Sequence, residues 1–226
     1  MRFVSSMELI RVVHLGRMAY PQAWVWQQEQ VQKRLDCPEL PDVLALVEHE
    51  PVYTLGQGAS LDFLRFPIGS IGIPVYRTER GGEVTYHGPG QVVGYPILRL
   101  KHYGLDVHEY LRCLEQIIIN VLHEYDIAGV RKAGYTGVWV GDVKVAAIGI
   151  KVRRGVTMHG FAVNVCTDLT AFERIVPCGM RGYGVGNLAQ FCPQIDQGEV
   201  RDRLGRQVGA VLRQAMEQGD TISVRC

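Results

Sequence analysis

Between Gly137 and Val165 the chain offers three extended runs separated by tight turns at Gly141-Asp142 and Arg154-Gly155. Two-residue turns join neighbouring antiparallel strands and fix their register. The second turn sets Ala147 opposite Ala162 and Gly149 opposite Gly160. Side chains alternate along a strand, so these four small residues gather on one face of the pair. Glycine weakens a strand interior, and such a cluster marks the close approach of a ligand or of another backbone. A straight hydrocarbon chain fits the strip, and tight packing under a helix fits it equally. Lys144 falls on the other face with Ala146, Ile148 and Ile150, across from Phe161, Val163 and Val165. An ammonium on an apolar face is costly unless it is paired, although Lys144 is also near a turn that leads to solvent. For Lys144 and the small residues to line one pocket, a bulge or a strand end must intervene.

The rest of the chain supplies helices and more strand. Glu8 to His14 reads as a first strand, and Pro21 suits the first turn of a helix with Trp24, Val31 and Leu35 on one stripe. Asp42 to Glu50 is apolar enough for a strand buried on both faces. Ala59 to Ile73, with Pro67, Gly69 and Gly72, has no period and reads as a long loop. Pro74 to Arg77 and Val84 to Leu98 are extended, the latter broken by Gly88-Pro89-Gly90. Asp106 with Glu109 has the form of a capping box, followed by an apolar stripe from Val107 to Tyr125. A last helix starts at Glu199. Strands in runs, with helices between and after them, predict an α+β fold: a mixed, largely antiparallel sheet packed by helices. With no internal repeat and no linker, residues 1–226 are expected to form a single domain.

Composition excludes several functions. A net charge of +1 over 226 residues gives no general basis for binding nucleic acid. No apolar run reaches the ~18 residues of a membrane span, and the start lacks the pattern of a signal peptide, so a cytoplasmic protein is expected. The six cysteines, Cys37, Cys113, Cys166, Cys178, Cys192 and Cys226, are scattered without a C-x-x-C pair. That spacing suits neither a disulfide framework nor a metal site, and no metal or cofactor is expected.

Two further stretches carry chemistry. In Arg80-Gly81-Gly82-Glu83-Val84-Thr85-Tyr86-His87-Gly88-Pro89-Gly90-Gln91 the paired glycines let backbone N–H groups approach a ligand. The arginine before them suits a carboxylate or phosphate, although neither nucleotide-loop pattern is present. In Pro177-Cys178-Gly179 proline restrains the chain and glycine leaves the sulfur approachable. A thiolate is the nucleophile in such chemistry, and a neighbouring ammonium favours it. Separately, Lys151, Arg153 and Arg154 cluster at one hairpin end, with Arg131 and Lys132 just before the sheet. These charges suit an acidic partner or simply a solvated turn.

Together the stretches resemble the lipoyl(octanoyl) transferases of lipoate biosynthesis. The resemblance rests on Arg80-Gly81-Gly82-x-x-Thr85-Tyr86-His87-Gly88-Pro89-Gly90-Gln91, Lys144-x-Ala146-Ala147-Ile148-Gly149, His159-Gly160-Phe161-Ala162-x-Asn164 and Pro177-Cys178-Gly179, in that order. It implies the fold of biotin and lipoate protein ligases and a catalytic dyad of Cys178 and Lys144. It also implies an acyl site at Arg80, Gly81, Gly82, Glu83, Val84, Thr85, Tyr86, His87, Ala147, Ile148, Gly149, Gly160, Phe161 and Ala162. Glu83 departs from the family's usual polar or basic residue, so its backbone rather than its side chain carries over. The implied donor is octanoyl-acyl carrier protein. The implied acceptors are lysines on lipoyl domains of oxo-acid dehydrogenase complexes and on the glycine cleavage H protein. The rival readings are an ATP-dependent lipoate or biotin ligase and a non-catalytic acyl-carrier-binding protein.

Overall fold

The structure is a computed structural model that describes residues 10–176 and 184–223. In chain order the first half runs β1 (Ile10–Met18), α1 (Tyr20–Asp36), β2 (Asp42–His49), β3 (Val52–Leu55), β4 (Val75–Arg77), β5 (Val84–His87) and β6 (Gln91–Ile97). The second half runs α2 (Val107–His123), β7 (Val130–Lys132), β8 (Tyr135–Val140), β9 (Val143–Arg153) and β10 (Val156–Asn164). A short α3 (Thr170–Glu173), β11 (Gly184–Val185) and α4 (Gln197–Ser223) complete it. The α+β expectation holds.

The larger sheet has the order β1-β2-β6-β10-β9-β8-β7, with β11 beside β9. Its central pairs are antiparallel, while β1 with β2 and β11 with β9 are parallel. Alternation along β2 sends Leu44 and Leu46 into the core under α2 and α4. Val43, Ala45 and Val47 face the core under α1. A strand covered on both faces is therefore apolar throughout, as Asp42 to His49 is. The stripe of α1 differs from the expected one. Its buried residues are Tyr20, Ala23, Gln27, Val31 and Arg34, and the polar two are paired. Gln27 Oε1 accepts the His159 N–H at 2.9 Å, and Arg34 donates to the Pro41 carbonyl at 2.5 Å.

Asp106 and Glu109 form the capping box at the start of α2. The second sheet, β4-β3-β5, packs with α3 and the long loop around Tyr53, Tyr86 and Phe172. It brings the Arg80 to His87 stretch over the hairpin of β9 and β10. The loop from Ala59 to Ile73 is irregular apart from one short turn of helix at Leu61–Phe63.

Candidate active site

The hairpin register is the one its turn dictates, with Ala147 opposite Ala162 and Gly149 opposite Gly160. Between this hairpin, β5 and the first turn of α1 lies a cavity. Arg80, Gly82, Glu83, Val84, Thr85 and His87 line it from one side. Ala147, Ile148, Gly149, Gly160, Phe161 and Ala162 line it from the other. Two residues of the expected acyl site stand elsewhere. Tyr86 points away, because alternation along β5 directs its ring onto Tyr53 and Phe172, with centroids 5.3 and 5.6 Å apart. Gly81 gives its N–H to the Ile150 carbonyl at 2.8 Å and borders a neighbouring cleft. The wall also contains Tyr20, Val93, Tyr95 and His159, which sequence reasoning did not assign to the site. The only signals for them were the motif containing His159 and the position of Tyr20 before a helix-starting proline.

The two hairpin glycines are explained by backbone approach. A Cβ on Gly149 would stand 2.9 Å from the Gly81 carbonyl oxygen and 3.3 Å from Arg80 Cδ. One on Gly160 would strike the Gly94 carbonyl and lie 2.6 Å from Pro96 Cδ. Ala147 and Ala162 are left as the small side chains that set the width of the space.

Arg80 holds its own loop. Its guanidinium donates to the Thr54 carbonyl at 2.7 Å, to Thr54 Oγ1 at 3.0 Å and to the carbonyls of Glu83 and Gly81 at 2.8 and 3.0 Å. The expected use of this side chain on a carboxylate or phosphate gives way to an internal staple, because planar donors satisfy carbonyls converging from a tight turn. His87 Nδ1 lies 2.7 Å from Gln91 Oε1, and the Gln91 amide donates to Asn164 Oδ1 at 2.8 Å. Asn164 in turn donates to the Gly186 carbonyl at 3.2 Å, and the Gly186 N–H to the Lys144 carbonyl at 3.0 Å. This network assigns the His87 proton to Nδ1. Burial, then the neighbouring His49, pushes the His87 imidazole down to about 3. His49 is pushed down to about 4 by burial, and its Nε2 lies 2.7 Å from the Tyr95 hydroxyl. Both rings are neutral at pH 7.

Lys144 is 6% exposed and lies on the helix-covered face of β9, as alternation requires. Its stem crosses β8 at Gly137, where a Cβ would come within 2.5 Å of Lys144 Cε. Gly137 has φ 126°, next to a register shift in the pairing of β8 with β9, and its N–H donates to buried Glu115 at 3.0 Å. Lys144 Nζ stands 5.7 Å from the Trp139 ring centroid. Together with Leu111, Tyr135 and Thr136, Lys144 lines a cleft. Gly82, Glu83, Ile148 and Gly149 border both this cleft and the cavity. The β8 pairing ends at Ala146, and beyond it the Arg80 to Glu83 loop borders the edge of β9, with the Gly81 N–H on the Ile150 carbonyl.

Cys178 lies outside the described residues. Its flanks are fixed: the Val176 N–H donates to the Phe63 carbonyl at 2.8 Å, and Gly184 and Val185 pair with Val143 and Lys144. The other cysteines offer a contrast. Burial first, then Glu48 and Asp196, pushes the Cys166 thiol up, and burial then Glu109 does the same to Cys113.

The basic residues divide. Arg131 donates to Glu115 and Gln116, both at 2.9 Å, so it braces α2. Lys132 sits over Trp139 at 5.0 Å and 3.3 Å from Asp142, close to Lys144. Arg153 and Arg154 are exposed at the far end of β9. Nine residues of strand put Arg153 about 30 Å from Lys144 at a rise of ~3.3 Å each. Among the described residues no group of three or more His, Cys, Asp or Glu side chains is placed to hold a metal ion. No described helix is long and apolar enough to cross a membrane.

The mixed sheet packed by helices has solved counterparts among the lipoate and biotin protein ligases. The fold matches "lipoate-protein ligase A bound with ATP" with a TM-score of 0.71 at 18% identity, over 90% of this chain and 85% of that one. Biotin protein ligase from Aquifex aeolicus in complex with biotin and ATP gives 0.54 at 13% identity, over 92% and 72%. At such identities the likeness shows the fold alone. A family model described as "Lipoyl protein ligase A/B catalytic domain" matches residues 19–209, and the chain belongs to this family. The octanoyltransferase of Nostoc sp. (strain PCC 7120) is 57% identical over 186 residues, 82% of this chain and 84% of that protein. The octanoyltransferase of Synechococcus elongatus is 52% identical over 193 residues, 85% and 83%.

Proposed function

We propose that the chain is an octanoyltransferase that passes an octanoyl group from acyl carrier protein, through a thioester on Cys178, to a lysine of a lipoyl domain. The observation that carries this reading is the junction of two spaces at the Arg80 to Glu83 loop. One is a cavity floored by Ala147, Gly149, Gly160 and Ala162, and the other holds the buried Lys144. The high-identity octanoyltransferases support the same chemistry. Cys178 is two residues past the anchored Val176 and six before Gly184, which pairs beside Lys144.

In the first half-reaction Lys144 stabilises the Cys178 thiolate, which attacks the donor's thioester carbonyl. The carrier thiolate leaves with a proton from Lys144, and the acyl group stays on sulfur. In the second half the acceptor amine attacks this thioester, Lys144 takes the amine's proton, and the Cys178 thiolate departs. Thioester exchange is close to balanced, and amide formation draws the reaction forward without ATP. Backbone N–H groups around the glycine loop stabilise the tetrahedral oxyanion. The histidines are poor bases here, since burial holds His87 at about 3.

The test is intact mass spectrometry after incubation with octanoyl-acyl carrier protein. The wild type and Cys166→Ser are expected to carry one octanoyl group, and Cys178→Ser none. An adduct on the Cys178 variant would refute the thioester, and transfer that requires free octanoate and ATP would favour a ligase.

A further inference from the structure

The cavity ends at a wall whose other side is a surface cleft. Along the hairpin its floor runs from Ala147 and Ala162, through Gly149 and Gly160, to His159. Lys144 lies beyond the Ala147 end. His159 closes the opposite end and is 2% exposed. Its φ of 58° is left-handed, unusual for a residue inside a strand, and a deviation of this kind re-aims a side chain. Its N–H goes to Gln27 Oε1 at 2.9 Å rather than to the sheet. The side chain of His159 thus faces the cavity, with Nε2 buried and lacking a hydrogen-bond partner.

Behind it stands Glu79, with Oε1 3.6 Å from His159 Nε2. Trp24 Nε1–H pins the same oxygen at 3.1 Å. At 3.6 Å the histidine contact exceeds a hydrogen bond, so the indole supplies the firmer tie. Burial raises the Glu79 carboxyl, but the nearby His159 and the hydrogen bond from Trp24 outweigh it and hold the group at about 2, ionised at neutral pH. On the far side Glu79, Met158 and Lys151 line an outer cleft against α1. His159 lines the inner space, and Glu79, in contact with it, lines the outer one.

We infer that Trp24, Glu79 and His159 form the end wall of the acyl cavity and set the chain length it accepts. The inference rests on the proposed acyl transfer and adds its specificity determinant. From Ala162 to His159 is three residues of strand, roughly 10 Å at ~3.3 Å per residue, the length of an extended eight-carbon chain. A longer chain drives methyl groups against the buried His159 imidazole, with the partly exposed Glu79 carboxylate behind it, and these polar groups repel hydrocarbon more strongly than an apolar wall does. Trp24 keeps Glu79 in place, so loss of the indole opens a path from the cavity to the outer cleft.

The test measures the binding of free octanoate and free dodecanoate by calorimetry, alongside transfer of the two acyl groups from carrier protein. Wild type is expected to prefer the shorter chain in both assays. Trp24→Ala and Glu79→Ala are each expected to reduce that preference by about tenfold, the scale of discrimination a pocket achieves through a few methylenes. Glu79→Gln, which keeps an acceptor for Trp24, is expected to retain most of the preference. Binding preferences unchanged in both alanine variants, or equal weakening for both acids, would overturn the wall. Because binding is read without turnover, a failed transfer assay bears on the proposed function and not on this inference.

Discussion

Lys144 sits under Leu111 with its stem across Gly137, and this seat limits where its ammonium can reach. An ammonium beside a thiol favours the thiolate, so the proposed pairing predicts that removing it raises the pH at which Cys178 reacts. Lys144→Ala is expected to lower the transfer rate about a hundredfold or more. It should also shift the iodoacetamide-rate profile of Cys178 to higher pH, and superimposable profiles would separate the two residues. The histidines give a different pH effect. His87 and His49 have folded values of about 3 and about 4 against an ordinary 6.5. Between those limits the unfolded chain binds more protons than the folded one. Stability is therefore whole above pH 6.5 and falls as pH drops below it. Each ring is expected to cost about 2 kcal/mol at pH 5 as an upper bound. Urea titrations at pH 7 and 5 should show this loss, and His87→Gln should reduce it.

Among the elements, the hairpin of β9 and β10 was the most legible, because two short turns fix the pairing and the pairing fixes every face. The Asp106 cap of α2 was equally readable, being local chemistry. β3 and β7 were not foreseen, since strands of four and three residues carry no period of their own and form only because a neighbour pairs with them. The role of the small residues was half legible. The sequence placed Gly149 and Gly160 face to face, but the backbones pressing on them come from β6 and the Arg80 loop. Gly149→Ala is therefore expected to displace that loop and depress transfer of all chain lengths alike. Ala162→Val, adding bulk to the cavity itself, should shift preference toward shorter chains. Comparing hexanoyl, octanoyl and decanoyl donors distinguishes the two variants, and identical profiles would contradict these assignments.

For the whole molecule, the proposed transfer predicts that the arrangement of charge sets where an acidic carrier protein docks. The hairpin tip with Arg153 and Arg154 is remote from Lys144, whereas Lys132 stands on the same tryptophan as Lys144. Lys132→Glu is expected to lower kcat/KM for the carrier-bound donor several-fold at low ionic strength, with less effect in high salt. The Arg153→Glu, Arg154→Glu double variant should leave it near wild type. A small octanoyl thioester serves as the control, and equal losses for it would show damage to the site in place of docking.

The sequence by itself determined the α+β class, the hairpin register, the cap of α2 and most of the cavity-lining residues. Each of these follows from local turn geometry, alternation or a contiguous motif. Only the tertiary structure decided that Arg80 staples its own loop and that Tyr86 turns to a second core. It alone brought Tyr20, Tyr95 and His159 into the wall, from three elements far apart in the chain. Alternation was right to set Lys144 and the small residues on opposite faces, yet the sequence carried no sign of how the two faces meet. The spaces on the two faces share a border where β8 stops pairing and another loop borders the edge of β9, and contacts between segments distant in sequence leave no local signature in either.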